Sequence, residues 1–174
     1  MDKPRRKCLR LAEYDYAREG AYFVTVCAQG RQSVFGKIMD GRMQMSRIGK
    51  IVDECWRVIP DHFAHIRLDE YMVMPDHIHG IIFVDHARRG TACRAPTTER
   101  FGKPVAGSIP TIVRSFKSAV TKRIHEIPGI EYIAVWQRNY YEHIIRNDAD
   151  LNRVRQYIEF NPQQWPFDRE NHAA

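Results

Sequence analysis

The chain lacks the features that mark secreted, membrane-spanning or nucleoside-triphosphate-binding proteins. Its four cysteines include no Cys-x-x-Cys pair, which argues against a disulfide framework and against a structural zinc site built from thiolates. No apolar run reaches the ~18 residues that a membrane-spanning helix needs, and no apolar signal region follows the basic first residues. No segment matches the phosphate loop G-x-x-x-x-G-K-S/T. We therefore expect a cytoplasmic protein with no membrane partner.

Length and composition predict one domain with a substantial core and a basic surface. The chain has 174 residues, of which 44% are hydrophobic, and its net charge is +6. A basic balance raises the chance of a polyanionic partner, nucleic acid first, and the alternative is a surface that is merely solvated. We expect a single domain over residues 1–174, with a basic segment at 1–13, a flexible loop at 86–107 and a tail at 163–174.

Hydrophobic periodicity predicts the element order β, ββ, α, β, β, α, β, α. The predicted strands and extended segments are residues 20–28, 33–38, 42–45, 67–73, 77–84, 132–136 and 140–145. The predicted helices are residues 47–59, the segment between Ser108 and Pro128, and residues 149–160. Pro60 and Asn161-Pro162 are expected to end the first and third helices. This order is typical of an antiparallel sheet with helices segregated to one face, an α+β sandwich.

Two histidines, His77 and His79, stand two residues apart at the start of a predicted strand. Their side chains therefore point to one face, while Ile78 points to the other face, toward a core. Two neutral imidazoles on one rigid element offer a metal two nitrogen ligands and leave other positions open for substrate. The alternative is a pair of strand histidines that face solvent.

A second group of candidate residues lies on the last predicted helix. Tyr157 and Asn161 are four residues apart and share one helical face. A positioned tyrosine phenol can serve as a covalent nucleophile, and an amide oxygen is a suitable ligand for Mg²⁺ or Mn²⁺. Alternatively, Tyr157 is a half-buried aromatic and Asn161 is a residue at the helix end. Tyr140 and Tyr141 are rival nucleophiles, although packing of a strand explains them well enough.

Three segments resemble the HUH nucleases, and within them the REP-associated tyrosine transposases. Residues 74–79 (MPDHIH) resemble the His-hydrophobic-His motif, residues 136–146 (WQRNYYEHIIR) the stretch before the catalytic helix, and residues 157–162 (YIEFNP) that helix. The resemblance covers about residues 14 to 165. Asn161 stands where the related insertion-sequence enzymes carry Gln, and the Asn form resembles the REP-associated branch.

The resemblance implies a fold, a site and a reaction. The fold would be a ferredoxin-like sandwich with a C-terminal catalytic helix. Tyr157 would be the nucleophile, and His77, His79 and Asn161 would hold Mg²⁺ or Mn²⁺. The reaction would be cleavage and transfer of single-stranded or hairpin DNA of the REP type through a 5′-phosphotyrosine bond. The protein would be a nucleoid-associated monomer or homodimer, with the Tyr157 helix serving its own chain or a partner.

Basic residues near such a site are predicted DNA contacts, although a solvated face is the simpler reading of each. The predicted contacts are Arg114, Lys117, Lys122 and Arg123 on the second helix, with Arg5 and Arg6 near the start of the sequence.

Two other functions are compatible with the sequence. The first is a non-catalytic module that binds single-stranded nucleic acid by stacking bases on Tyr22, Phe23 or Tyr71. The second is a metal hydrolase that acts on a small phosphoester.

Overall fold

The computed structural model describes residues 16–85, 105–130 and 133–165. The strands are β1 (Gly20–Cys27), β2 (Gly36–Met39), β3 (Arg42–Met45), β4 (Ile66–Val73), β5 (His77–Val84) and β6 (Tyr141–Ile145). The helices are α1 (Arg47–Arg57), α2 (Ile59–His62), α3 (Ile109–His125) and α4 (Asp148–Gln164). Within these described ranges, no helix is both long and apolar enough to cross a membrane.

The main sheet has the strand order β4-β5-β1-β6, and every neighbouring pair is antiparallel. β1 pairs with β5 along its whole length, from Gly20 opposite Val84 to Cys27 opposite His77. β2 and β3 form a separate hairpin, whose Asp40 and Gly41 both have positive φ, as a tight Asp-Gly turn requires. The predicted α+β class with an antiparallel sheet is therefore confirmed.

The sheet has two covered faces, and different helices cover them. On one face, α1 and α3 pack in the larger core against Tyr22 and Val24 of β1 and Ile78 of β5. On the other face, a smaller core joins Phe23 and Ile81 to residues of α4. The prediction of helices on one face thus holds for α1 and α3, while the C-terminal helix lies across the opposite face.

Glycine is required where α1 approaches the sheet. A Cβ at Gly80 would lie 2.5 Å from Cβ of Tyr71 and 2.8 Å from the ring of Trp56. Since real Cβ atoms do not come this close to their neighbours, only glycine lets Trp56 pack this closely on β5 directly after His79. The close contact fixes the strand that carries both histidines.

Several predicted boundaries are wrong, each for a local reason. The first helix ends at Arg57, and Pro60 lies in the first turn of the short α2, where a missing N–H costs nothing. Helix α4 continues past Asn161-Pro162 to Gln164, because Asn161, Pro162 and Trp165 are buried and their packing holds the last turn.

Other predicted segments are shorter than expected or lie outside the described residues. The first hairpin strand begins at Gly36 rather than at residue 33, and β6 begins at Tyr141 rather than at residue 140. Of the predicted segment 132–136, residues 133–136 form only an isolated bridge between Trp136 and Ala28. Residues 1–13, residues 86–104 of the predicted loop and residues 166–174 of the tail lie outside the described ranges.

Candidate active site

His77 and His79 lie side by side at the start of β5, and both are buried. Their exposed fractions are 2% and 0%, so the alternative of two solvent-facing histidines is wrong. The ring centroids are 4.9 Å apart, and Nε2 of His77 lies 3.3 Å from Nδ1 of His79. The period of the strand sends Ile78 into the larger core on the other face, as predicted.

Burial keeps the second imidazole neutral. The pKa of His79 lies well below its ordinary value, first because burial penalises the charged ring and second because a charged His77 would repel it. A neutral imidazole has a free lone pair and is therefore able to bind a metal ion.

Asp76 orients the first histidine. Nδ1–H of His77 donates to Oδ1 of Asp76 over 2.6 Å, which leaves the lone pair on Nε2. The other carboxylate oxygen lies 3.5 Å from Nη1 of Arg31. Backbone bonds hold this connection, because the amide of Ala28 donates to the carbonyl of Asp76 over 2.7 Å. Sequence reasoning missed Asp76, although a carboxylate directly before a histidine pair is a signal for such a partner.

Helix α4 lies against the histidines of the same chain, with Tyr157 beside His79 and Trp165 beside His77. Asn161 lies between these two positions on the helix. Its buried stripe, Val154, Ile158 and Asn161, faces the sheet, and Tyr157 lies beside that stripe. The Tyr157 ring is 5.4 Å from the His79 ring, centroid to centroid, and the side chain is 44% exposed. The phenol is therefore next to the histidines and open to a substrate from outside.

Two buried polar atoms, one on β5 and one on α4, have no hydrogen-bond partner among the described residues. They are Nε2 of His79 and Oδ1 of Asn161, which is 2% exposed. Leaving a buried acceptor unsatisfied costs about 1–3 kcal/mol, so two of them on elements that pack together need an explanation. A bound cation that accepts both lone pairs provides one.

The donor set fits a divalent metal ion. Within the described residues, no group of three or more His, Cys, Asp and Glu side chains could hold a metal ion. His77, His79 and Asn161 offer two nitrogens and one amide oxygen, with no thiolate. The amide oxygen is compatible with Mg²⁺ or Mn²⁺, whereas the two imidazoles also suit zinc and iron, so the identity of the metal stays a prediction.

An ion pair between Arg155 and Asp69 attaches α4 to the edge of the sheet. Nη2 and Nε of Arg155 donate to the two carboxylate oxygens of Asp69 over 2.5 and 3.1 Å. A bulge in β4 sets Asp69 and Glu70 against the single residue Ile81. Burial alone would raise the pKa of Asp69, but hydrogen bonds from Arg155 and from the amide of Glu70 lower it overall. The pair fixes the helix two residues before Tyr157.

This ion pair predicts a pH-dependent contribution to stability. Since the folded pKa of Asp69 is depressed, its contribution is present above the unfolded value near 4 and is lost as pH falls through the folded pKa. We expect Arg155→Met to lower the free energy of unfolding by about 1–2 kcal/mol at pH 7, because Arg155 is 39% exposed and solvent screens the pair. Urea unfolding of both proteins should show this difference shrink below about pH 4.

Arg153 on the same helix provides the control. It pairs with Asp150 but is 74% exposed, so Arg153→Met should leave stability nearly unchanged. A difference between wild type and Arg155→Met that is the same at pH 3 and pH 7 would show that packing of the arginine stem, not charge, holds the helix.

The structure does not bring the predicted basic residues of α3 to this site. Helix α3 lies on the opposite face of the sheet from the histidines. Nζ of Lys117 donates to the carbonyls of Gln137 and Asn139 over 2.7 and 3.1 Å, and burial lowers its pKa to about 8. Lys117 therefore anchors the segment before β6.

The other predicted DNA contacts have different surroundings, and two of them lie outside the described residues. Arg123 forms an ion pair with Glu54 at 2.5 Å. Arg114 and Lys122 are exposed, whereas Arg5 and Arg6 lie outside the described residues. Their role in DNA binding stays a prediction.

The chain has sequence relatives among known proteins. No family model matches the chain. An uncharacterized protein of Haemophilus influenzae is 39% identical to it over 168 residues, which are 94% of this chain and 92% of that protein. Another protein of that bacterium, named "Putative REP-associated tyrosine transposase", is 24% identical over 165 residues, 88% of this chain and 81% of that protein.

A solved structure of a REP-associated tyrosine transposase bound to a REP hairpin has the same fold. It matches with a TM-score of 0.60 and 18% sequence identity over 97% of this chain and 77% of that one. The chain thus belongs to one family with the Haemophilus protein of 39% identity, and it is a relative of the REP-associated tyrosine transposases.

Proposed function

We propose that this protein is a metal-dependent endonuclease and strand transferase for single-stranded DNA, with Tyr157 as its nucleophile. One observation carries the proposal. An exposed tyrosine lies beside a buried histidine pair, and Nε2 of His79 and Oδ1 of Asn161 have no hydrogen-bond partner among the described residues. A candidate metal site with an accessible phenol beside it supports phosphoryl transfer to tyrosine.

The relatives support the class of reaction and suggest the substrate. One sequence relative is named "Putative REP-associated tyrosine transposase", and the solved structure is of a REP-associated tyrosine transposase bound to a REP hairpin. We propose hairpin DNA of this type, with an unpaired flank, as the substrate. An unpaired strand suits the site because it can be bent away from a partner strand until one phosphate reaches the phenol.

In the proposed mechanism, His77, His79 and Asn161 would hold a cation, and Asp76 fixes the orientation of His77. Such a cation would act as a Lewis acid toward the scissile phosphate. The Tyr157 phenol loses its proton to solvent, and its oxygen bonds to phosphorus while the P–O3′ bond breaks. The released 3′ oxygen takes up a proton. Attack by another 3′-hydroxyl reverses the step and rejoins DNA without ATP.

The proposal is tested by trapping the covalent product. The protein is incubated with 3′-labelled hairpin DNA that carries an unpaired 5′ flank, in Mn²⁺, Mg²⁺ or EDTA, and run on a denaturing gel. We expect labelled protein with either cation and none with EDTA, and mass spectrometry should locate the nucleotide on Tyr157. Fully paired DNA of the same sequence is the control. Cleavage without labelled protein, or a label on another residue, would refute the proposal.

The same experiment distinguishes the other two functions. A non-catalytic module would bind the DNA but give no product. The residues that the sequence suggested for base stacking do not suit that role. Tyr22 and Phe23 are buried, and the hydroxyl of Tyr71 bonds to Asp53 and Arg57. A small-phosphoester hydrolase would also give no labelled protein, and in a separate assay it would turn over a model diester equally well without the Tyr157 hydroxyl.

Replacing Asp76 is expected to weaken metal binding. Asp76→Asn keeps the side-chain volume but removes the negative acceptor that fixes the His77 ring. Outer-shell partners of this kind typically contribute 10- to 100-fold, so we expect the Kd for Mn²⁺ to rise by roughly that factor. Calorimetric titration measures it. Glu159→Gln, an equal change of charge on the exposed side of α4, should leave the Kd unchanged.

A further inference from the structure

Tyr141 lies on the same face of the sheet as the candidate metal ligands His77 and His79. Thr25 of β1 is paired with His79 on one side and with Tyr141 on the other. Directly paired residues of antiparallel strands project to the same face, and strands are about 4.8 Å apart. Tyr141 therefore stands two strands from His79, about 10 Å away along the sheet.

Ring contacts join Tyr141 to the proposed nucleophile through one buried residue. The Phe23 ring is 6.5 Å from Tyr141, 6.0 Å from Tyr157 and 5.8 Å from His79, centroid to centroid. Phe23 is almost completely buried, whereas Tyr141 is 48% exposed and Tyr157 44%. Two accessible tyrosine rings thus flank one buried ring, which also contacts His79 of the candidate active site.

The surroundings of Tyr141 favour a ligand with a flat apolar surface. It is the first residue of β6, which is an edge strand of the described sheet. Its ring packs edge-on against Phe23, and almost half of the side chain is exposed. Stacking on aromatic rings is how proteins bind unpaired bases with little regard to sequence.

We propose that Tyr141 stacks on the unpaired base next to the phosphate that Tyr157 attacks. The inference rests on the proposed function and adds how the substrate is positioned. A base within a duplex has no free face to offer, so stacking here selects DNA that is unpaired beside the cleavage point. Tyr141 is then a substrate-binding residue and not a second nucleophile.

The experiment measures DNA binding in the Tyr157→Phe background, where cleavage cannot complicate the equilibrium. The probe is a hairpin with an unpaired 5′ flank, together with a series in which each flank position in turn is abasic. We expect Tyr141→Ala to weaken binding roughly 5- to 150-fold and Tyr141→Phe to change it by less than about twofold. At one flank position, removal of the base should weaken DNA binding by the Tyr157→Phe parent as much as Tyr141→Ala does. Removal of that same base should not weaken binding by the Tyr141→Ala variant further.

Controls separate stacking from loss of structure and from the chemistry of Tyr157. Phe160→Ala removes another exposed aromatic side chain, from α4, and should leave the abasic pattern intact. Thermal melts establish that each variant is folded. Unchanged binding by Tyr141→Ala, or an abasic effect that adds to it at every position, would overturn the stacking role. Absence of a covalent adduct with the wild-type protein would instead overturn the proposed function, whatever the binding data show.

Discussion

Replacing Tyr157 with Phe is expected to abolish the covalent protein–DNA adduct while metal and DNA binding stay within about twofold of wild type. The change removes one oxygen and keeps the ring, whose contacts with His79 and Phe23 hold the helix in place. Deleting a covalent nucleophile removes the reaction path itself, so the rate of adduct formation should fall roughly 10³-fold or more.

Gel analysis of the adduct and calorimetric titration of Mn²⁺ measure the two halves of this prediction. Tyr141→Phe is the matched control, because it deletes the same atom from a neighbouring exposed tyrosine and should leave adduct formation intact. An adduct that survives in Tyr157→Phe but disappears in Tyr141→Phe would transfer the nucleophile's role to Tyr141.

Mixing two inactive variants tests whether the site is built within one chain. The Tyr157 ring lies beside the His79 of its own chain, so Tyr157→Phe and His79→Ala each lack a different part of the same site. If the helix serves its own chain, the mixture should form no adduct above the sum of the two separate proteins. Recovery toward one quarter to one half of wild-type activity, on the order expected for exchange of subunits, would indicate a helix shared between partners.

The histidine strand was predictable because its pattern is local. The sequence predicted β5 at its observed bounds, with Ile78 directed into the core, and helical spacing predicted that Tyr157 and Asn161 share a face. Each of these statements concerns residues within one turn or one strand of each other. Local geometry is nearly the same wherever the element is finally packed.

The choice of sheet face was not predictable in this way. An amphipathic stripe indicates that a helix packs on something, but not on which side of the sheet, so the basic residues of α3 were placed near the site although the helix lies on the far face. The pair of Asp69 and Arg155 depends on a bulge in β4 and on residues 86 positions apart. Neither the bulge nor the long-range ion pair can be inferred from residues that are close together in the sequence.

Asn161→Leu is expected to change stability and activity in opposite directions. The side chain is 2% exposed, and its Oδ1 has no hydrogen-bond partner among the described residues, so an apolar side chain of similar volume removes an unsatisfied acceptor. In EDTA, the variant should gain about 1 kcal/mol, a rise in Tm of roughly 2–4 °C for a chain of this length. With a direct ligand lost, the Kd for Mn²⁺ should rise roughly 100-fold or more, beyond the effect of an outer-shell partner.

Thermal melts with and without Mn²⁺ measure both effects in one experiment. Because a cation that binds only the folded state raises Tm with its concentration, wild type should gain stability on addition of Mn²⁺ while Asn161→Leu should not. Gln156→Leu, the same kind of change at an exposed position of α4, should keep the Mn²⁺ response of wild type. If Asn161 served only to end or pack the helix, its replacement would lower Tm in EDTA and leave the response to Mn²⁺ intact. A rise in Tm in EDTA together with a lost response to Mn²⁺ therefore distinguishes a metal ligand from a packing residue.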